Sequence, residues 1–360
     1  MTLANKNDTN KYLEIYNIMT LTQYRPKLVT KRLLGVLADR ARNVISSRYG
    51  LGENHERMTL ESIGKIYGIT RERVRQIENY ALDSIRKSEV FRKEQEMFAA
   101  LEKSMHELGA IVSEEDLLKD LGEKPELENH LNLFLVLGNA FKRAKEDEHF
   151  KDRWHVNEEL SVQVHTALHN LYKSLSDEDL IPESEMIALF LDHLKDVSEK
   201  YKDEEVLRRW LRISKKLDRN PLGEWGIATS NSVKAKGIRD LAYLAIRRHG
   251  SPMHFTEVAR IIGETFGKKA HIATCHNELI KDERFVLVGR GLYALKEWGY
   301  MSGIVREVVE EVIKKNGPLT KEEIIEKVLK ERYVKPNTIL VNIQNPKYFK
   351  KDKVGKYSII

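Results

Sequence analysis

Five side chains near residue 75 have the types and spacing to read a patterned polyanion. Arg71, Glu72, Arg75, Gln76 and Asn79 fall at i, i+1, i+4, i+5 and i+8, which gathers them on one continuous polar face of a helix. Val74, Ile77, Ala81 and Ile85 recur at spacings of three and four on the other side and turn that side inward. Guanidinium forks match guanine O6 and N7 and phosphate oxygens, glutamine matches adenine, and a glutamate accepts from cytosine N4. Placed at the N-terminal end of a helix lying in the major groove, such a set reads base edges of double-stranded DNA.

That chemistry needs a second helix to hold the first. Thr59 is positioned to cap a short helix through Tyr67, Gly68 to make a turn, and Thr70 to cap a helix running to about Lys87. Counting from Leu60, apolar residues fall at positions four, eight, ten, fifteen and eighteen: Ile63, Tyr67, Ile69, Val74 and Ile77. Gly64 is small where two helices must approach, and Gly68 tolerates the positive φ of a tight turn. The pattern is that of a helix-turn-helix. Upstream, Leu33, Leu37, Ala41, Val44 and Ile45 predict one amphipathic helix, followed by a loop through 50–57.

The 360 residues carry a net charge of +6, distributed unevenly. Residues 1–93 hold 18 Lys/Arg against 10 Asp/Glu, residues 94–230 hold 18 against 30, and residues 231–360 hold 25 against 15. Two basic ends, suited to a polyanion, flank an acidic centre suited to a protein partner or spacer; for the C-terminal end, scattered surface lysines are the competing explanation. No apolar run approaches a membrane span and the first twelve residues lack a signal-peptide core, so a soluble cytoplasmic protein without membrane contact is expected. The single cysteine, Cys275, excludes an internal disulfide and a cysteine-rich zinc site.

Signals of enzymatic chemistry fail on context. Gly289-Arg290-Gly291-Leu292-Tyr293-Ala294 matches a dinucleotide fingerprint formally, but a strand is predicted where the pyrophosphate-binding helix should begin. Residues 263–269 lack the hydroxyl residue that follows lysine in a phosphate loop. Cys275, His276 and Asn277 are consecutive on one helix and cannot converge as a triad, and with His271 they still lack a fourth metal ligand. The expectation is a protein with no catalytic activity, cofactor, metal or small-molecule substrate.

From about Leu33 to Ser88 the sequence resembles region 4 of the housekeeping-type bacterial sigma factors. The residues that carry the resemblance are Arg48-Tyr49-Gly50-Leu51, 59–64, and the run from Gly68 through Thr70, Arg71, Glu72, Arg73, Val74, Arg75, Gln76, Ile77 to Glu78. The resemblance implies reading of the minus-35 promoter element, with Arg71, Glu72 and Gln76 on base edges and Arg73 and Arg75 near phosphates. It further implies that Thr59 and Leu60 offer backbone amides to a phosphate at a helix N-terminus. The helix around Arg40, Arg48 and Tyr49 would face the RNA polymerase flap, making core polymerase a partner and nucleoid association the expected location. The match covers only about 56 of 360 residues. Only 32 residues precede Leu33, and no aromatic promoter-melting cluster follows, so a self-sufficient sigma factor is not expected.

A second resemblance lies at 238–300, similar to the HARE-type helix-turn-helix domain also found in the delta subunit of bacterial RNA polymerase. It is carried by Ser251-Pro252-Met253-His254-Phe255, by 274–280 and by 284–295. Two helices joined at Gly250-Ser251-Pro252, a third around 272–281 and two alternating strands about Gly289-Arg290-Gly291 make a winged helix. The grammar recurs about sixty residues on, with Gly317-Pro318 in place of the first turn and Glu323 where Glu257 stood. In the acidic middle, 98–121 and 131–144 have helical periodicity, 150–156 suits a short strand and 224–229 a wing strand; two diverged winged helices or a plain helical bundle fit that order.

The resulting expectation is a mainly α chain, a helix-turn-helix followed by an array of winged helices. Its divisions are an arm at 1–30, the helix-turn-helix at 31–92, acidic units at 93–158 and 159–233, and winged helices at 234–300 and 301–360. A sequence-specific transcription factor acting in initiation with RNA polymerase fits best. An architectural or anti-sigma-like competitor without polymerase recruitment, and a targeting module for a DNA-modifying enzyme, are the alternatives.

Overall fold

A computed structural model describes residues 24–122, 125–194 and 197–360; most of the expected arm at 1–30 lies outside them. The chain is mainly helical with small antiparallel sheets, and it divides into two compact units, 1–218 and 219–360.

The first unit opens with α1 (Pro26–Leu34) and α2 (Asp39–Tyr49), where the periodicity predicts a single helix. Gly35 ends α1 by donating its N–H to the Lys31 and Arg32 carbonyls, and the Arg42 guanidinium satisfies the Leu34 and Leu37 carbonyls exposed by the break. Leu33 of α1, Leu37 in the break and Ala41, Val44 and Ile45 of α2 are all buried, so the pattern runs across the interruption. Next come α3 (Leu60–Tyr67), α4 (Arg71–Lys87), α5 (Glu89–Lys93) and α6 (Gln95–Glu107). Beyond them, β1 (Ile111–Ser113), α7 (Glu114–Gly122), α8 (Pro125–Leu137), β2 (Lys142–Ala144) and β3 (Arg153–His155) complete a sheet in the order β1-β3-β2. Val112 and Arg143 both face Trp154 across it. The helical expectation for 131–144 therefore fails after Leu137, since Lys142–Ala144 pairs with the strand predicted near 150–156.

One apolar core runs from Val29 to Trp154, through Ile45, Ala81, Phe91, Leu101 and Phe134. The helices of the helix-turn-helix and those of the acidic segment thus share side-chain packing across residue 92. Further along, α9 (Glu158–Ser174), α10 (Glu183–His193) and α11 (Glu204–Ile213) follow, with a two-stranded hairpin of β4 (Leu217–Arg219) and β5 (Trp225–Ile227) at the unit boundary. Asp120, 6% exposed, meets Arg209, 3% exposed, as a buried ion pair between α7 and α11.

The second unit repeats one order twice. First come α12 (Ile238–His249), β6 (Met253–His254), α13 (Phe255–Phe266), α14 (Ile272–Lys281), β7 (Phe285–Gly289) and β8 (Leu292–Leu295), with sheet order β6-β8-β7. Then come α15 (Val305–Asn316), α16 (Lys321–Glu331), α17 (Pro336–Ile343), β9 (Phe349–Lys351) and β10 (Tyr357–Ile359). Met253 pairs with Tyr293 in the first; Leu319 exchanges backbone hydrogen bonds with Tyr357 in the second. Gly250 and Gly317, at φ 75° and 80°, end the first helix of each. Residues 111–155 of the first unit share this order of strand, two helices and returning hairpin, preceded by α6.

Candidate nucleic-acid interface

The turn between α3 and α4 fixes the site. Thr59 Oγ1 accepts from the Ser62 N–H at 3.1 Å and Thr70 Oγ1 from the Arg73 N–H at 3.2 Å, so both expected caps are made. Gly68 takes φ 63°, and its N–H and that of Ile69 both donate to the Gly64 carbonyl. Val44, Ile63 and Val74 are fully buried at the crossing, with Met58, Leu60, Tyr67, Ile69 and Ile77 packed around them. Gly64 is there for its size: a Cβ on it would sit 2.6 Å from the Ile69 carbonyl oxygen.

The side chains of α4 expected to meet bases or phosphates are exposed together. Arg71, Glu72, Arg73, Arg75, Gln76 and Asn79 lie on one solvent face of α4, while Val74, Ala81, Leu82 and Ile85 are buried behind them. Two pairs organise that face without ligand. Arg75 grips Glu72 with both Nε (2.9 Å) and Nη2 (2.7 Å), and Arg73 donates to the Gln76 amide oxygen at 3.0 Å. The Arg75 hydrogen bonds hold the Glu72 carboxyl below its ordinary pKa, so it stays an acceptor. Among the described residues Arg71 makes no hydrogen bond or ion pair, leaving its fork available at the N-terminal turn of the helix. Thr70, Arg71 and Arg73 border a cleft of about 590 Å³ running under α3 past Lys65 and Gly68. Thr59 is exposed and Leu60 half-buried at the α3 N-terminus, where unpaired amides and the helix dipole favour an anion.

Tyr80 belongs to the same surface and was not singled out by its pattern. It is 72% exposed, directly after Asn79. An aromatic residue within a helix ordinarily signals core, and only the burial of Ala81 and Leu82 beside it gives the exposure away.

Of the three residues that resemblance turns toward polymerase, Arg40 is exposed near the start of α2. Arg48 is half-buried, donating to the Met58 carbonyl at 3.0 Å and lying 3.4 Å from Glu78. Tyr49 is buried in the core, and burial followed by the nearby Glu78 carboxylate pushes its phenol above the ordinary range. The opposite flank of this helical group is covered by α8. Asn129 donates from its amide to the carbonyls of Gly50 (2.9 Å) and His55 (2.8 Å) and accepts from Arg57 at 2.6 Å. Thr30 and His130 hydrogen-bond at 2.7 Å, and burial lowers the imidazole pKa to about 4.

In the second unit, Leu292–Leu295 is a strand preceded by Gly291 at φ 72°, so no helix receives a pyrophosphate at the formal glycine fingerprint. Cys275 is buried, and burial raises its thiol pKa to about 11. No helix among the described residues is long and apolar enough to cross a membrane.

Residues 33–87 match the family model for sigma-70, region 4. The chain is also similar to the RNA polymerase principal sigma factor HrdD of Streptomyces griseus, 52% identical over 50 residues, which is 14% of this chain and 15% of that protein. The family match falls on the helices that build the exposed face of α4: a sigma-70 region 4 domain is found at residues 33–87, a helix-turn-helix whose second helix presents Arg71, Glu72, Arg75, Gln76 and Asn79 to solvent.

Proposed function

We propose that this protein is a sequence-specific, double-stranded-DNA-binding transcription factor that acts at initiation with RNA polymerase and is not itself an enzyme. The observation that carries the reading is the capped α4, with three guanidinium forks, a carboxylate and two amides exposed on one face and a close-packed crossing behind them. In the reading offered here, Arg71, Glu72 and Gln76 meet base edges of a minus-35-like element. Arg73, Arg75 and Thr70 hold phosphates, and the α3 amides after Thr59 and Leu60 hold another. Residues 238–300 and 301–360 are read as winged helices, the first of the HARE type, and the strand order of 111–155 supports a third. The site requires no cofactor or metal, and its setting is the bacterial cytoplasm, on the nucleoid.

Selection of bound fragments from random duplex DNA, followed by alanine substitution, tests the reading. Gln76→Ala or Arg71→Ala should cost about 1–3 kcal/mol on the selected site and relax preference at one base position. Equal losses on selected and random duplexes would leave only phosphate contact and refute base reading.

A competitor that occupies promoter DNA without recruiting polymerase is the second reading. It is favoured by the coverage of α1, α2 and the 50–57 loop by α8, together with the burial of Tyr49. Retention of core polymerase by the whole chain supports the first reading; DNA binding without retention supports the second.

A further inference from the structure

The C-terminal sixty residues distribute their charge in a way that the fold makes meaningful. Residues 301–334, which form α15 and α16, carry seven Lys/Arg and seven Asp/Glu and are neutral. Residues 335–356, which form α17 and the β9–β10 turn, carry six lysines and a single carboxylate, Asp352. In the neutral half three of the seven cations pair locally, Arg306 with Glu310, Lys314 with Glu311 and Lys330 with Glu326, and Arg332 donates to the Leu287 and Gly303 carbonyls. Among the described residues, Lys335, Lys347, Lys350, Lys351, Lys353 and Lys356 form no ion pair, and all six are exposed.

The single carboxylate builds the turn and does not neutralise the patch. Asp352 Oδ1 accepts from the Val354 N–H at 2.9 Å and the Lys356 N–H at 2.8 Å, while Gly355, at φ 94°, donates to the Asp352 carbonyl. Lys350, Lys351, Lys353 and Lys356 therefore stand on a preformed hairpin, with Val354 82% exposed at its tip, while Lys335 precedes α17 and Lys347 precedes β9. Preceding it, α17 buries Ile339 and Ile343 in the core shared with Phe349 and Tyr357, and exposes Asn337, Thr338 and Val341. A slim helix with short side chains outward, joined to a rigid basic hairpin, fits a groove and its bordering phosphates.

We propose that α17 and the β9–β10 hairpin form a second duplex-DNA surface that grips the phosphate backbone irrespective of sequence. The residue types set the division from α4. Six lysines supply point charges for phosphate, and the segment contains no arginine to fork a guanine. The inference stands whether or not α4 reads bases.

The test uses the full chain and a random-sequence duplex, with binding followed by fluorescence anisotropy between 50 and 200 mM salt. Three variants are compared with the parent: Lys350→Ala/Lys351→Ala/Lys353→Ala in the hairpin, Lys314→Ala/Lys315→Ala/Lys330→Ala as an equal loss of charge elsewhere in the domain, and Arg71→Ala/Gln76→Ala in α4. If each hairpin lysine neutralises one phosphate, the logarithmic salt slope falls by about 2.7, so the parent should lose roughly 40-fold more affinity than the hairpin variant over that range. The elsewhere variant should follow the parent, and the α4 variant should retain random-duplex binding with a slope that the hairpin substitutions still reduce. Circular dichroism confirms that each variant is folded; a single Lys353→Ala at the turn, expected to lower the slope by about 0.9, replaces the triple if it is not. An unchanged slope in the hairpin variant overturns the proposal, as does an equal reduction in the elsewhere variant. Tighter binding to single-stranded RNA or to anionic phospholipid vesicles than to the duplex, lost with the same lysines, overturns the assignment to DNA.

Discussion

Gly64→Ala separates two physical effects by sign. Residue 64 lies within α3, so alanine improves helix propensity by about 1 kcal/mol, and a stabilised protein follows if nothing else intervenes. The structure places something in the way: the new Cβ would lie 2.6 Å from the Ile69 carbonyl oxygen, some 0.8 Å inside an ordinary contact of 3.4 Å. That oxygen is backbone in the turn and cannot swing aside as a side chain would. Opening the contact pulls Ile69 from its 3.0 Å hydrogen bond to the Gly64 carbonyl and levers Val74 off Ile63. Overpacking of this kind costs about 1–3 kcal/mol, so a net loss near 1 kcal/mol is expected after the propensity gain. For a unit of this size the midpoint should drop by about 2–4 °C in a calorimetric scan. Gly68→Ala is the internal comparison: its Cβ meets nothing within 4 Å, so only the strain of φ 63° acts, and the cost should stay near 1 kcal/mol. Gly68→Val adds β-branching at the same φ and should lose more. Duplex affinity should fall with Gly64→Ala, because the displaced element is the N-terminus of α4. A higher midpoint for Gly64→Ala would refute the close-crossing argument outright.

Three further perturbations address the packing behind the site. Asn129→Ala strips the carbonyls of Gly50 and His55 of their donor and Arg57 of an acceptor, and should cost about 1–3 kcal/mol in urea denaturation; a loss within error would mean that water replaces the amide. Asp120→Asn removes the nearer of two carboxylates from the buried Arg209 guanidinium, leaving Glu205 at 3.9 Å, and should destabilise by about 1.5–3 kcal/mol, whereas Lys27→Ala, which breaks an exposed pair with Glu126, should change stability by less than about 1 kcal/mol; equal effects would refute the distinction. His130 and His165 are both held near pKa 4, chiefly by burial and, for His165, by the Arg153 guanidinium that donates to it at 2.7 Å. Their folded pKa values lie below the unfolded value, so the unfolded chain binds more protons and stability is complete above about pH 6.5 and falls as pH drops toward 4. His130 alone accounts for about 3 kcal/mol of that loss, and a urea midpoint unchanged from pH 7 to pH 5 would rule out a buried neutral imidazole.

Legibility followed the range of the interaction. The caps at Thr59 and Thr70, the turn at Gly68 and the buried face of α4 are all set within four residues of sequence, and the pattern located each. The break at 35–38 escaped because Leu33, Leu37 and Ala41 keep helical spacing and are all buried, although Leu37 lies in the break itself. The strand at Lys142–Ala144 escaped because a three-residue run carries no period of its own; only pairing with Arg153–His155 decides it. Tyr80 escaped because exposure depends on what packs next to it. Least legible was the role of α8: Asn129 meets a carbonyl 79 residues away, and no local signal marks an amide as the partner of a distant loop.

That long-range packing changes what the acidic middle does. From charge alone it reads as a spacer or a protein-binding segment, since it would repel DNA. Yet α8 donates core residues Leu131, Phe134 and Leu135 to the same cluster as Leu33, Ile45 and Ile85 of the region 4 helices. Its C-terminal carbonyls at Val136 and Leu137 accept from the Arg86 guanidinium at 2.7 and 3.2 Å, and Arg86 lies in the last turn of α4 itself. The far end of α4 is therefore clamped by the acidic segment, while Glu94 and Glu126 hold Arg32 and Lys27, both in α1. Glu94 and Glu126 thus neutralise cations of α1, whereas on α4 Arg75 pairs with Glu72 of its own helix and, among the described residues, Arg71 forms no ion pair. In this chain the acidic middle packs against the basic helix and supplies the carbonyl partners of its last turn.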